Sequence, residues 1–437
     1  MNANMGDKPT AEARRLVAAG KRAEAEAIVA RLISDNFDMA VTKIAINADW
    51  SSLNSLNGIV DVADGRRFFF KFHQEEGEEA TVEEYYRAEL LQRAGLPVDM
   101  PVMICRRPGH QILLYTFRSD RQLATLCLAI ERREDDAETS RVARLEADLN
   151  QLTGRIYIET LHESNAELAR KEAIHQLFHN RLVSPDVPRK VGGRVDRFYA
   201  GQTMALPGAE LSFAEFADRH WTVNGVEYPS TLAQLFEESR RVLDPGQLGA
   251  SGAVVAHGDA HNANVWVEER GEAARLVLFD PAFAGEHVPA LLADVKATFH
   301  NVFAHPLWLY HPGEADGRYE VTVAVTDKRI EVVHDWKLTP LRRAFLDAKI
   351  EFIWRPLLDT LATRGLLPVN WERIVRLALF CCPTLVMNLR AGASHGATAG
   401  RSPAIAALSF AIAVMAGCAP AAGDDTFSRF LAAVAPR

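Results

Sequence analysis

Residues 254–281, "VVAHGDAHNANVWVEERGEAARLVLFDP", put two histidines, an aspartate and two asparagines into one short segment and close it with a second aspartate. Physically the segment reads as an apolar strand, a polar loop and then a hairpin. "VWV" and "RLVLF" are two short strands joined by the polar turn "EERGEA". In an antiparallel hairpin the residue entering the first strand and the residue leaving the second lie at the same end. Asn264 and Asp280 are therefore expected to be neighbours. An amide oxygen beside a carboxylate forms a hard-oxygen site suited to Mg²⁺, an ion that usually takes the rest of its shell from waters and substrate phosphates. Asp259, in the loop feeding that end, is placed to reach a substrate hydroxyl.

The rest of the chain sets the frame. With 437 residues, two or three packed units are expected. An apolar share of 48% and a charged share of 24% are those of an ordinary globular protein. A formal net charge of −8 offers no basic excess for phosphate backbones, which argues against a nucleic-acid partner and mildly suits a cationic or neutral ligand. The five cysteines (Cys105, Cys127, Cys381, Cys382 and Cys418) are scattered, without a C-x-x-C pair, so a reducing, cytoplasmic setting is expected. The charged N-terminal segment lacks an apolar export signal. The apolar run at 404–422 reads as a buried helix, so no membrane association is expected.

Residues 12–34 read as one amphipathic helix within an N-terminal helical extension, 1–40. From 41 to 118 follow strand patterns, "VTKIAI", "GIVDVA", "RRFFFKFH" and "QILLYTF", with a helix, "TVEEYYRAELLQRAG", between the third and fourth. Beyond 119 the chain turns mostly helical. Residues 129–172 mix both charge signs at i, i+4 spacing, the pattern of a solvated helix face, and a homodimer would make its contact there. Lys71 stands alone in a strongly apolar strand, where an unpaired ammonium is costly. It calls for a carboxylate, and the next helix offers Glu83, Glu84 and Glu89.

His257-Gly258-Asp259, the asparagine five residues after that aspartate, and the hairpin leading to Asp280 resemble the catalytic loop and metal-binding aspartate of the aminoglycoside phosphotransferase and choline kinase family. That resemblance implies an α+β, two-lobed protein-kinase-like fold: a small antiparallel-sheet N-lobe at 41–118 and a large, mainly helical C-lobe at 119–437. It implies transfer of the γ-phosphate of ATP, or of GTP, to a hydroxyl of a small metabolite or aminoglycoside-like compound, with magnesium. Asp259 would be the catalytic base or orienting carboxylate, Asn264 and Asp280 metal ligands, and His257 a brace of the loop. Asp294 would anchor the loop from behind. Spacing to Pro97 selects Glu84 as the partner of Lys71. Ser52, Ser55 and Asn57 would fall in the phosphate-covering loop and the strand after it, and Leu114, Tyr115 and Thr116 in the hinge that takes the adenine.

Three other readings compete. A catalytically silent nucleotide-binding module would keep the fold without turnover, but the Asp259, Asn264 and Asp280 set is complete. A protein kinase would carry D-F-G and A-P-E signatures, and here "FDPAF" stands instead. The H-x-D-x-H spacing of His257, Asp259 and His261 could ligate a transition metal, which would leave Asn264, Asp280 and Lys71 unexplained.

Overall fold

The β-branched and aromatic runs near the N-terminus pair into a five-stranded antiparallel sheet. Its strands are β1 (Val41–Ile46), β2 (Ser55–Val62), β3 (Arg67–His73), β4 (Met103–Cys105) and β5 (Ile112–Thr116), in the order β1-β2-β3-β5-β4. The computed structural model describes residues 8–47, 55–73, 79–133, 136–187, 189–270, 273–304, 306–393 and 400–436.

The stretch expected as one N-terminal helix is two, α1 (Pro9–Ala18) and α2 (Arg22–Phe37), because Gly20 takes a left-handed φ of 74° and breaks the periodicity. Their apolar faces, with Leu16, Val29 and Ile33, share one core with Val60, Phe70 and Leu114 of the sheet. The helix between β3 and β4, α3 (Glu79–Arg93), ends at Gly95 and Pro97. Its Leu91 belongs instead to the core of the second lobe.

That lobe is mainly helical. Helix α4 (Leu123–Arg133) and α5 (Asp136–Thr160) open it, and the helices Pro340–Lys349, Trp371–Val386 and Pro403–Gly417 supply much of its core. The last of these is buried almost throughout, and no described helix is long and apolar enough to cross a membrane. Further strands are β6 (Arg121–Gln122), β7 (Thr203–Leu206), β8 (Ala209–Ser212), β9 (His220–Val223), β10 (Val226–Tyr228), β11 (Ala253–Ala256), β12 (Val265–Arg270), β13 (Ala273–Leu278), β14 (Gly285–Pro289), β15 (Val321–Val325) and β16 (Arg329–His334). A mixed sheet of order β10-β9-β16-β15 was not legible from the sequence.

Helix α5 departs from the expected solvated face. It buries Glu146 and Asn150, because Lys349 from the facing helix enters its groove and needs their oxygens. The two lobes join along β13. Asp99 N–H donates to the Leu278 carbonyl at 2.8 Å, and Leu278 N–H to the Pro97 carbonyl at 2.7 Å. The chain crosses between lobes at 117–120, where the Arg118 guanidinium bonds Asp120 and Glu268, each at 2.7 Å.

Candidate active site

The opening hairpin forms in the expected register. Val265 faces Leu278 across β12 and β13, so Asn264 and Asp280 leave the same end. Phe279 N–H closes that end on the Asn264 carbonyl at 3.0 Å. β11 delivers the loop 257–261 beside it and pairs antiparallel with β14, which carries the chain away from Asp280.

Gly258 is required at the bend. Its φ of 77° is left-handed, and a Cβ there would stand 2.7 Å from the Phe283 carbonyl oxygen and 2.8 Å from Ile174 Cδ1. His257 ties the loop to the hairpin. Its Nε2–H donates to the Phe279 carbonyl at 2.9 Å, while Nδ1 accepts the Asp259 N–H at 3.3 Å. Burial lowers its basicity and keeps it neutral, as this pairing of donor and acceptor requires. With both ring nitrogens engaged, His257 has no lone pair for a transition metal. Among the described residues no cluster of three or more His, Cys, Asp or Glu side chains is arranged to hold one.

Asn264 spends its amide N–H on the Asp259 carbonyl at 2.9 Å, which leaves its side-chain oxygen as the acceptor on the site. Asp280 holds a non-glycine left-handed φ of 56°, a conformation costing of order 1–3 kcal/mol that persists where the surroundings over-determine it. Oxygen donors from an amide and a carboxylate at one hairpin end suit a magnesium ion that completes its shell elsewhere. Asp259 itself is buried, and its Oδ1 lacks a hydrogen-bond partner among the described residues.

The N-lobe meets this end of the hairpin directly. Lys71 is 6% exposed on β3, which lies inside its sheet, so the ammonium does not guard an edge. It forms an ion pair with Asp280, whose side chain is 35% exposed. The pair spans the lobe junction. Arg87 of α3 adds a second tie by donating to the Ala282 carbonyl just beyond. Glu84 lies on α3, but its side chain, like that of Glu83, is outside the described residues.

The fold is α+β: a five-stranded antiparallel sheet stands beside a mainly helical lobe, and the two meet at the Lys71–Asp280 pair. No family model and no curated protein matches the chain. Solved structures do. The aminoglycoside phosphotransferase APH(3'')-Id from Streptomyces rimosus is 14% identical over 82% of this chain and 97% of its own, with a TM-score of 0.38. The microcompartment-associated aminopropanol kinase is 12% identical over 90% and 99%, with a TM-score of 0.38. A macrolide 2'-phosphotransferase type I is 14% identical over 62% and 76%, with a TM-score of 0.32.

The remaining residues expected at the site divide. Asn57 lies opposite Lys71 across β2 and β3, and its side-chain oxygen accepts from Asn47 at 2.9 Å. Ser52 and the side chain of Ser55 are outside the described residues. Leu114, Tyr115 and Thr116 sit in β5 between β3 and β4, where the Leu114 carbonyl is taken by Val102 N–H at 2.8 Å. That carbonyl is thus spent on the sheet, and the lobe-to-lobe connection begins after it, at Phe117.

Asp294 is buried close behind the loop, and with His257 and Ala260 it lines a cavity of about 20 Å³. Its carboxylate receives the Thr298 hydroxyl at 2.8 Å and Lys349 at 2.9 Å. Asn301 also holds the loop from behind: it accepts the Asn262 N–H at 2.8 Å and donates to the Ala260 carbonyl at 3.4 Å. Sequence reasoning missed Asn301, and with it Lys296 and His300. His300 and Asn301 sit in the aromatic-rich stretch 297–312, and Lys296 just before it; that stretch reads as core, and core most of it is, through Phe299, Phe303 and Trp308.

Proposed function

We propose that the protein is a magnesium-dependent phosphotransferase that moves the γ-phosphate of ATP, or of GTP, to a hydroxyl of a small molecule. The observation that carries this reading is the Lys71–Asp280 ion pair. It brings a cation of one lobe to a carboxylate of the other at the hairpin end shared with Asn264, next to Asp259. Phosphoryl transfer asks a protein mainly for positioning and for charge, and those four residues supply both.

In this reading the nucleotide lies between the lobes, with Lys71 on its phosphates. The Asn264 side-chain oxygen and the Asp280 carboxylate would hold Mg²⁺, which when bound neutralises charge on the phosphate oxygens. Asp259 receives the acceptor hydroxyl. As the acceptor oxygen bonds to phosphorus and the bond to the nucleoside diphosphate breaks, its proton passes to the Asp259 carboxylate. His257 stays neutral and holds Asp259 in place through the backbone. Acceptors in the class are hydroxylated metabolites and aminoglycoside-like compounds.

The test is a mass-resolved screen of such acceptors with Mg·ATP and Mg·GTP. The expected result is a phosphorylated product that vanishes with Asp259→Asn. Product formation that survives Asp259→Asn would contradict the assignment.

A further inference from the structure

The helical turn that follows Asp294 brings the buried Lys296 side chain to Asp259: burial lowers the lysine pKa, and the Asp259 carboxylate acts against that and favours the ammonium. Lys296 is 3% exposed, and its Nζ stands 3.7 Å from Asp259 Oδ1, the buried carboxylate oxygen without a hydrogen bond. Asp259 is its one carboxylate neighbour within 4 Å among the described residues. The same Nζ lies 2.8 Å from His300 Nε2, and His300 Nδ1 meets the Tyr310 hydroxyl. An ammonium can only donate, so Nε2 accepts and the ring proton sits on Nδ1, directed at the Tyr310 oxygen. Burial drives the basicity of His300 far down, which keeps the ring neutral.

The backbone explains how one turn serves two tasks. Phe299–Phe303 is π-helical, closed by Ala304 N–H on the Phe299 carbonyl at 2.7 Å, an i→i+5 bond. The wider turn lets adjacent residues face the catalytic loop together: His300 reaches Lys296 while Asn301 bonds Ala260 and Asn262. On the other side of the carboxylate, His261 Nε2 stands 3.7 Å from Oδ2, and the His261 side chain is 23% exposed. Oδ1 therefore faces the interior cation, and Oδ2 the more open side.

We propose that Lys296, held by His300 and Tyr310, is the positioning residue of Asp259: it draws Oδ1 inward, fixes the plane of the carboxylate and leaves Oδ2 to the acceptor hydroxyl. This rests on the role given to Asp259 above. The ammonium makes no contact with the acceptor. Its effect reaches the reaction through the carboxylate, so it belongs in kcat and not in nucleotide binding.

The experiment compares Lys296→Met, His300→Leu, His300→Gln and Asp259→Asn in steady-state transfer. Lys296→Met and His300→Leu are expected to lower kcat about 10²-fold, the lower end of what a positioned proton acceptor contributes, with KM for ATP little changed. His300→Gln, whose side-chain oxygen still accepts from Lys296, is expected to recover most of the loss. Wild-type kcat in Lys296→Met and His300→Leu, with Asp259→Asn inactive, overturns the proposal and leaves the phosphotransferase reading standing. Full activity of Asp259→Asn removes that reading itself. A crystal structure of Lys296→Met gives an answer independent of turnover. A rotated Asp259 carboxylate supports the proposal, and an unmoved one overturns it. Should Lys296→Met fail to fold, His300→Leu takes its place in both measurements.

Discussion

Replacing Lys349 with methionine probes the support beneath the 257–261 loop. The Lys349 ammonium is 2.9 Å from Asp294, 3.3 Å from the Asn150 side-chain oxygen and 3.9 Å from Glu146, all of them buried. Of the two carboxylates, Asp294 is the nearer to the ammonium by 1.0 Å, and burial raises the pKa of the more distant Glu146. Methionine keeps the length of the chain and removes the charge, leaving the Asp294 carboxylate in the interior with the Thr298 hydroxyl. Breaking a buried pair from one side costs about 3–5 kcal/mol. At about 2.1 cal/mol/K of unfolding entropy per residue, that is a fall of about 3–5 °C in Tm for a chain of this length. Urea titration followed by circular dichroism, with calorimetry, reads both quantities. Neutralising both partners in Asp294→Asn/Lys349→Met should cost less than the sum of the single changes by about 1 kcal/mol or more. A loss below about 1 kcal/mol in Lys349→Met, or strict additivity in the double variant, would refute this reasoning.

Other consequences follow from the same geometry. Gly258→Ala forces a side chain onto a left-handed residue against the Phe283 carbonyl, so a destabilisation of at least about 1–2 kcal/mol is expected; unchanged unfolding and unchanged transfer would contradict the tight bend. Lys71→Met removes the cation proposed to hold the nucleotide phosphates and should raise KM for ATP and lower kcat, with steady-state kinetics as the check. Burial pushes the Glu268 carboxyl up, but the guanidiniums of Arg275, Arg270 and Arg118 outweigh it and hold the pKa at about 2, against an ordinary 4.5. A depressed carboxyl stabilises the fold above its unfolded pKa and loses that contribution as pH falls through the folded one. Tm should therefore drop between about pH 4.5 and 2, and Glu268→Gln should flatten that slope.

What the sequence revealed, and what it hid, follows the range of the interactions. The hairpin was legible because alternation and a turn fix register locally, and register alone makes Asn264 and Asp280 neighbours. Lys71 was legible as an anomaly, a cation in "FFFKFH", yet its partnership with Asp280 joins residues 209 positions apart, beyond what any local pattern encodes. The charges of α5 were visible but not their fate: Glu146 and Glu138 look alike in sequence, while the first is buried against Lys349 and the second pairs with Arg141 near the surface. Lys296, His300 and Asn301 were hidden by their neighbours. Aromatic side chains at helical spacing announce a core, and the π-helical turn shows that two polar residues among them face the 257–261 loop.

Asp280, at the hairpin end and in contact with Lys71, is predicted to be indispensable to phosphoryl transfer. The most direct test is transfer of labelled γ-phosphate by Asp280→Ala, measured beside wild type in the presence of magnesium, with circular dichroism to confirm the fold. Loss of transfer in a folded variant is the predicted result. A folded Asp280→Ala protein that transfers phosphate at the wild-type rate would contradict the account.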